Sequence, residues 1–289
     1  MGSQIIGFTD WFRTPPGEYL LAWEREQFDL AVADMFGYHA LQLGLPELDA
    51  LAANRMPHKW LALQGVEGQA PQPEGMGATA ASALRVAFLT DPAALPFPEN
   101  SLDLVLLPHT LELSSDPHTT LREVERVLVP EGRVVICGMN PASLWGFRQA
   151  RARFYRRLGY GKLFLPEAGE FIGYWRLRDW LRLLGFEVES ARFGCYRPAV
   201  SSQASLERFA WMDKVGEQSW PILGALYFLV AVKRVRGMRL LEPNWKNQKA
   251  TAGAPVAIAN QVRGPGTFSS LSPDARSGLS RARLDDDAD

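Results

Sequence analysis

The sequence lacks the features that mark several large classes of protein. It has only two cysteines in 289 residues, Cys137 and Cys195, and their spacing matches neither a zinc site nor a redox motif. We therefore expect two buried free thiols in a reducing compartment. The chain also has no large excess of positive or negative charge, since 31 basic and 32 acidic residues leave a net charge of −1. The overall charge thus gives no indication of a polyanion-binding protein.

Long apolar runs are also missing. The longest, 221–232, is shorter than the roughly 20 residues that a membrane-spanning helix needs, and we interpret it as a buried strand. No basic segment followed by an apolar core is visible at the N-terminus, so no secretory signal is predicted. These absences predict a cytoplasmic protein without a transmembrane segment. Hydrophobic residues make up 47% of the chain, which is enough for a sizeable core.

The sequence does contain alternating strand and helix patterns. They predict an α/β protein with a Rossmann-like, mostly parallel, seven-stranded sheet flanked by helices and closed by an antiparallel hairpin. In such sheets, ligands bind beyond the carboxyl ends of the strands. The candidate strand ends are Gly44, Gln64, Asp91, His109 and Asn140.

Composition predicts three regions. Residues 1–36 form a helical lead-in, 37–236 form the α/β domain, and 237–289 form a disordered tail rich in Gly, Pro, Ser and Ala. The apolar face of the lead-in helix is predicted to contain Leu20, Trp23, Phe28, Val32 and Phe36.

Two further helices carry end signals. Asp116 is predicted to cap the first, which Pro130 and Gly132 are predicted to end. A second amphipathic helix is predicted to close at Gly185, and a third helical stretch covers 142–158.

One segment, 90–141, carries a more specific pattern. It has Asp91 after the third strand, LPF at 95–97, SLDLV at 101–105 and a helix containing LRE and RVL at 121–128. This order resembles the class I S-adenosylmethionine-dependent methyltransferases with a type-11 methyltransferase domain, and the chain is also similar to a bacterial branch of that family. The resemblance implies S-adenosylmethionine as cofactor and methyl transfer to an unidentified acceptor.

The resemblance also implies a set of cofactor-binding residues. Gly44 stands where the family's glycine-rich loop begins, and Gln64 stands where its ribose-binding acid does. Asp91 matches the residue that faces the adenine amino group. Leu95, in the loop that follows, is the fourth cofactor-binding residue of the implied set. The chain departs from the family at 42–48, QLGLPEL, which keeps only one glycine. A nicotinamide site is not predicted, because the G-x-G-x-x-G turn is absent.

On the substrate side, His109 and Asn140 are the candidate catalytic residues. An imidazole at a strand end could act as a base, or it could hydrogen-bond nearby backbone. Asn140 could contact substrate or turn the chain, and Glu112 could face the same cavity or be solvated. No metal site is predicted.

Three residues of the matched segment are interpreted as structural. Asp103 opens a strand at a turn. Glu123 and Arg126 are three residues apart on a helix, so we expect an exposed ion pair worth a few tenths of a kcal/mol.

The segment 144–162 is basic and aromatic and contains no acid. It is typical of a helix that meets a membrane surface or nucleic acid, or of a solvated helix whose aromatic rings face inward. The first interpretation supports an alternative function, a catalytically inactive methyltransferase fold that binds an anionic partner. The arginines that would contact this partner are Arg148, Arg151, Arg153, Arg156 and Arg157.

Overall fold

The computed structural model describes residues 11–64, 86–157, 164–165 and 171–234. The predicted disordered tail, 237–289, lies outside these residues. No helix of the described part is long and apolar enough to cross a membrane.

A seven-stranded sheet organises the described residues, in the order β3-β2-β1-β4-β5-β7-β6. The first five strands run parallel, and β7 runs antiparallel to both β5 and β6. The predicted α/β class and the antiparallel hairpin are therefore confirmed. The strands are β1 His39–Leu43, β2 His58–Gln64, β3 Val86–Thr90, β4 Leu102–Pro108, β5 Leu128–Met139, β6 Phe186–Gly194 and β7 Leu226–Lys233.

Helices cover the sheet and fill the insertion between β6 and β7. They are α1 Pro15–Val32, α2 Thr110–Leu113, α3 Pro117–Val127, α4 Leu144–Arg157, α5 Tyr174–Leu183, α6 Gln203–Arg208 and α7 Trp211–Ser219. Helix α1 packs on the sheet, where the ring of Phe28 meets that of Phe228 on β7 edge to face at 4.9 Å. Leu20 and Val32 share this buried face, whereas Phe36 follows the helix and is 76% exposed.

The predicted signals at two helix ends are confirmed. Asp116 caps α3, because its carboxylate accepts the backbone N–H groups of His118 and Thr119. Gly185 follows α5 with φ at +85°, a left-handed conformation that glycine adopts without steric cost.

Two boundary predictions were wrong. Helix α3 ends at Val127, and Pro130 and Gly132 lie inside β5. The strand accommodates them with an irregular register opposite β4 and a positive φ at Glu131, which is the geometry of a bulge. The run 221–232 is likewise not one strand, since Pro221–Leu223 forms a 3-10 turn before β7 begins.

The amino ends of β1 and β4 are joined by a single carboxylate. Oδ2 of Asp103 accepts the backbone N–H groups of Tyr38 and His39 at 2.8 and 2.9 Å. This aspartate therefore does more than open a strand, because it fixes two central strands relative to each other.

Replacing Asp103 by alanine should lower the free energy of unfolding by about 1–3 kcal/mol, since two backbone donors lose a charged acceptor. Chemical denaturation measures this change. Glu189→Ala is the control, because its ion pair with Arg133 is solvent-exposed and should contribute less than about 1 kcal/mol. Equal losses of unfolding free energy in the two variants would contradict the role of Asp103 in joining β1 to β4.

Candidate functional site

A narrow cleft opens at the carboxyl edge of the sheet, where the strand order changes direction between β1 and β4. Ligands of open α/β sheets bind at this switch point. The walls come from the ends of β1, β2 and β3 and from helix α2. The lining residues include Leu43, Gly44, Leu45, Pro46, Gln64, Pro92 and Thr110.

The loop after β1 makes its turn with one glycine only. Gly44 and Leu45 both have positive φ, +82° and +45°, and a leucine in this conformation costs about 1–2 kcal/mol. The buried side chain of Gln42 holds the loop in place. Its amide nitrogen lies within 3.2 Å of the carbonyl oxygens of Gly44, Leu45 and Leu48, and its oxygen accepts the Ala50 N–H.

The cleft is shallow. Its cavity volume is only about 40 Å³. Leu45 is 5% exposed and packs with Leu48 and Leu51 in the core as well as lining the cleft. A ligand larger than a few atoms therefore requires the walls to separate.

The structure brings together some of the predicted cofactor residues. Gly44 and Gln64 line the same cleft, and Asp91 stands between two of its lining residues, Thr90 and Pro92. The exposed Asp91 carboxylate accepts the N–H of Ala93, as in a turn cap. Leu95 lies elsewhere, in the main hydrophobic core.

The Glu123–Arg126 pair holds the loop that contains Leu95. Glu123 accepts the Leu95 N–H at 2.9 Å, and Arg126 donates to the carbonyl oxygens of Leu95 and Phe97. The two side chains are only 16% and 32% exposed. The expectation of a merely exposed pair was therefore wrong, because the backbone of the 95–97 loop covers it.

Three charged side chains meet beside the cleft. Nε2 of His109, at the end of β4, lies 2.8 Å from Glu24 on α1, and its Nδ1 lies 2.9 Å from Glu112 on α2. All three side chains are at most 1% exposed. Glu112 also accepts the backbone N–H of Met139 on β5. This ion triad joins four elements of the fold.

The triad keeps His109 protonated. Burial by itself would lower the pKa of the imidazole, but the two glutamates more than offset it and raise the pKa to about 10. A protonated imidazole with both nitrogens donating has no lone pair to accept a proton. The role of His109 as a base stays a prediction, and its surroundings favour a positioning role.

Cys137 lies next to the triad. Glu24, His109 and Cys137 each offer one atom within 4.8 Å of the others. Burial raises the pKa of the Cys137 thiol well above its ordinary value, and the neighbouring Glu24 and Glu112 raise it further. The arrangement is that of an ion triad with a neutral thiol beside it.

Asn140 follows β5 and uses its side chain on the backbone. Its amide nitrogen donates to the carbonyl oxygens of Ile222 and Gly224, and its oxygen accepts the Ala142 N–H. The residue is 3% exposed. Its contact with substrate stays a prediction, while its observed contacts join the start of α4 to the segment before β7.

The arginines of α4 have different surroundings. The guanidinium of Arg148 packs 4.2 Å from the ring of Phe164, and that of Arg153 packs 5.3 Å from Phe171. Arg151 is exposed, and the side chains of Arg156 and Arg157 lie outside the described residues. The interpretation of aromatic rings facing inward holds for Trp145, which is 1% exposed, and not for Phe147, which is 68% exposed.

Sequence reasoning missed Glu24, Gln42 and Thr110. Glu24 lies four residues from both Leu20 and Phe28 on the buried face of α1, and a charged residue in an apolar stripe is a readable sign of a buried partner. Gln42 and Thr110 left no comparable signal, since their contacts depend on the path of the loop. The hydroxyl of Thr110 donates to the Leu43 carbonyl oxygen at the edge of the cleft.

Comparison with known proteins shows which proteins the chain is similar to. Residues 68–136 match the family model described as a methyltransferase domain. The chain is 32% identical to the uncharacterized protein YafS of Escherichia coli K12 over 189 residues, which cover 64% of this chain and 70% of YafS. It is 34% identical to the demethylmenaquinone methyltransferase of Anoxybacillus flavithermus over 35% of this chain, and spans about half (49%) of that relative's length.

A solved structure shares the fold. The methyltransferase in complex with the Haloferax volcanii Trm112 methyltransferase activator superposes with a TM-score of 0.52. The match covers 81% of this chain and 99% of that chain, at 17% sequence identity. At this identity the likeness extends to the fold alone.

Replacing His109 by glutamine should lower the free energy of unfolding by about 3–5 kcal/mol, because two buried carboxylates lose their counter-charge. Denaturant titration measures this loss. His58→Gln is the matched control, since His58 is exposed at the start of β2 and should change stability by less than about 0.5 kcal/mol. A loss below about 1 kcal/mol for His109→Gln would contradict the ion triad.

The stability of the unaltered chain should fall as the pH rises from about 6.5 to 8.5. Folded His109, with its pKa raised to about 10, keeps its proton over this range, whereas the unfolded chain loses it. The unfolded state therefore binds fewer protons, and the slope is negative, up to about 1.4 kcal/mol per pH unit. Denaturation midpoints across this range should show the decline in the parent chain, and a flatter profile in His109→Gln.

Proposed function

The chain belongs to the class I methyltransferase family, and from this premise we propose that it transfers a methyl group from S-adenosylmethionine to an acceptor. The observation that carries the proposal is the cleft at the β1/β4 switch point, which holds Gly44 and Gln64 and adjoins Asp91. A methyl donor bound there would lie at the edge where parallel α/β sheets bind their ligands.

The chemistry of the cleft fits this cofactor. Apolar walls such as Leu43, Pro92 and Leu113 suit the faces of an adenine ring. Gln64, half-buried at the end of β2, offers an amide for the ribose diol, and the exposed carboxylate of Asp91 offers an acceptor for the adenine amino group. Gly44 has φ at +82°, which glycine adopts without steric cost, and it would place no side chain between the loop backbone and the cofactor.

Leu95 is proposed to act through its loop. Both of its backbone polar groups are held by Glu123 and Arg126, and this loop follows directly from Asp91. The ion pair would thus fix the adenine-facing segment without touching the cofactor.

The bound cofactor would supply an activated methyl group on a sulfonium, which is a good leaving group. The protein then has to bind the acceptor in line and exclude water, so a strong base is not required. His109, as an imidazolium, would act as a positioning residue. It precedes Thr110, whose hydroxyl holds the Leu43 carbonyl at the cleft. Asn140 would likewise position the start of α4.

Calorimetric titration with S-adenosylhomocysteine tests the proposal. We expect binding in the micromolar range that Asp91→Ala weakens about tenfold or more, the loss typical of a hydrogen bond to a charged group. Asp34→Ala is the matched control, because Asp34 is exposed just after α1 and is not among the residues that line the cleft. No heat at millimolar ligand from a folded sample would overturn the proposal.

A second candidate is a catalytically inactive methyltransferase fold that binds an anionic partner through α4. The observation that favours it is the narrowness of the cleft, whose cavity volume is only about 40 Å³. The same titration separates the two candidates. Binding of S-adenosylhomocysteine would require the walls of the cleft to open and would favour the enzyme, whereas no binding would favour the inactive fold.

A further inference from the structure

The outward face of α4 is apolar although the helix is rich in arginine. Its large exposed side chains are Leu144, Phe147, Phe154 and Tyr155, at 51%, 68%, 61% and 49% exposure. With 3.6 residues per turn, these residues and Arg151 fall within an arc of about 100°. The opposite face, with Trp145 and Gln149, is buried.

The helix is also positively charged throughout. Residues 144–157 contain five arginines and no acid. Arg148 and Arg151 form no salt bridge within the described part of the chain. Packing on an aromatic ring, as Arg148 does, leaves a guanidinium charged. A partner of this helix must therefore accept both apolar groups and positive charge.

A second exposed apolar segment abuts the start of α4. Trp220, Ile222 and Leu223 are 55%, 45% and 46% exposed. The Asn140 side chain donates to the Ile222 carbonyl oxygen at 2.7 Å, so the segment lies directly beside the residues that lead into α4. We call the two segments together the docking face; it consists of Leu144, Phe147, Arg151, Phe154, Tyr155, Trp220, Ile222 and Leu223.

We propose that the docking face binds the surface of an anionic lipid bilayer. Aromatic and aliphatic side chains on one face of a cationic helix enter the boundary between head groups and acyl chains, while the arginines attract anionic head groups. Helices that bind nucleic acid place their cations on the contact face. Among the three α4 arginines whose side chains the structure describes, Arg151 is exposed, whereas Arg148 and Arg153 are half-buried. The described part of the face is therefore mainly apolar and suits lipid better. This inference stands whether or not the cleft binds a cofactor.

Vesicle co-sedimentation with the full chain tests the inference. One set of vesicles is pure phosphatidylcholine, and the other contains about 30% phosphatidylglycerol. We expect the chain to pellet with the anionic vesicles at least about tenfold more strongly than with the neutral ones. Added salt should weaken this binding, because it screens the arginines.

The variant Phe147→Ser with Phe154→Ser removes the two most exposed rings of α4. Both side chains are in solvent, so the fold should persist, and an unchanged thermal midpoint verifies this. We expect its binding to anionic vesicles to fall about tenfold or more. Phe36→Ser is the matched control, because Phe36 is 76% exposed near the amino ends of the strands, and it should bind as the unaltered chain does.

Three results would overturn the inference. One is the absence of binding to anionic vesicles. Another is an equal loss of binding in the control and in the double variant, which would place the contact elsewhere. The third is tight binding to an oligonucleotide that lipid does not compete with and that the double variant retains, since this would identify the helix as a nucleic-acid surface.

Discussion

The carboxyl edge of the sheet depends on an imidazole buried between two carboxylates. Glu24 comes from α1, His109 from the end of β4 and Glu112 from α2, and Glu112 in turn holds the backbone of β5. A buried charge is far less costly when it is paired. His109 pairs with both glutamates, while the second oxygen of Glu24 is buried without a hydrogen-bond partner in the described part of the chain. The triad therefore ties α1, β4, α2 and β5 together beside the cleft, and the loop after β1 is held against Thr110, which follows His109.

The loop after β1 makes its turn without a run of glycines. Glycines normally provide the positive φ values that such a turn needs, yet here Leu45 adopts one of them. The cost is offset by Gln42, whose side-chain amide bonds the loop backbone at Leu45, Leu48 and Ala50. The same solution brings Leu45 and Pro46 into the cleft wall, which explains why the cleft is narrow.

Local patterns were sufficient to predict much of the fold. The continuous apolar run of β4, the Asp116 cap and Gly185 each report on a few neighbouring residues, and the structure places them as expected. The position of β7 between β5 and β6, and the pairing of Glu24 with His109 across 85 residues, depend on contacts that no local pattern encodes. For the same reason, Pro130 was mistaken for a helix end, because the bulge that accommodates it forms only against β4.

The site could be predicted as a location more readily than as a set of contacts. Gly44 and Gln64 share a cleft because the carboxyl ends of parallel strands meet at one edge, and α4 begins at that same edge because it follows β5. A surface bound by the outward face of α4 would thus lie on the cleft side of the sheet. If the docking face lay instead at the amino edge of the sheet, near Phe36, a bound membrane would be on the side opposite to the cleft. The geometry therefore links where the protein would dock to where its chemistry would occur.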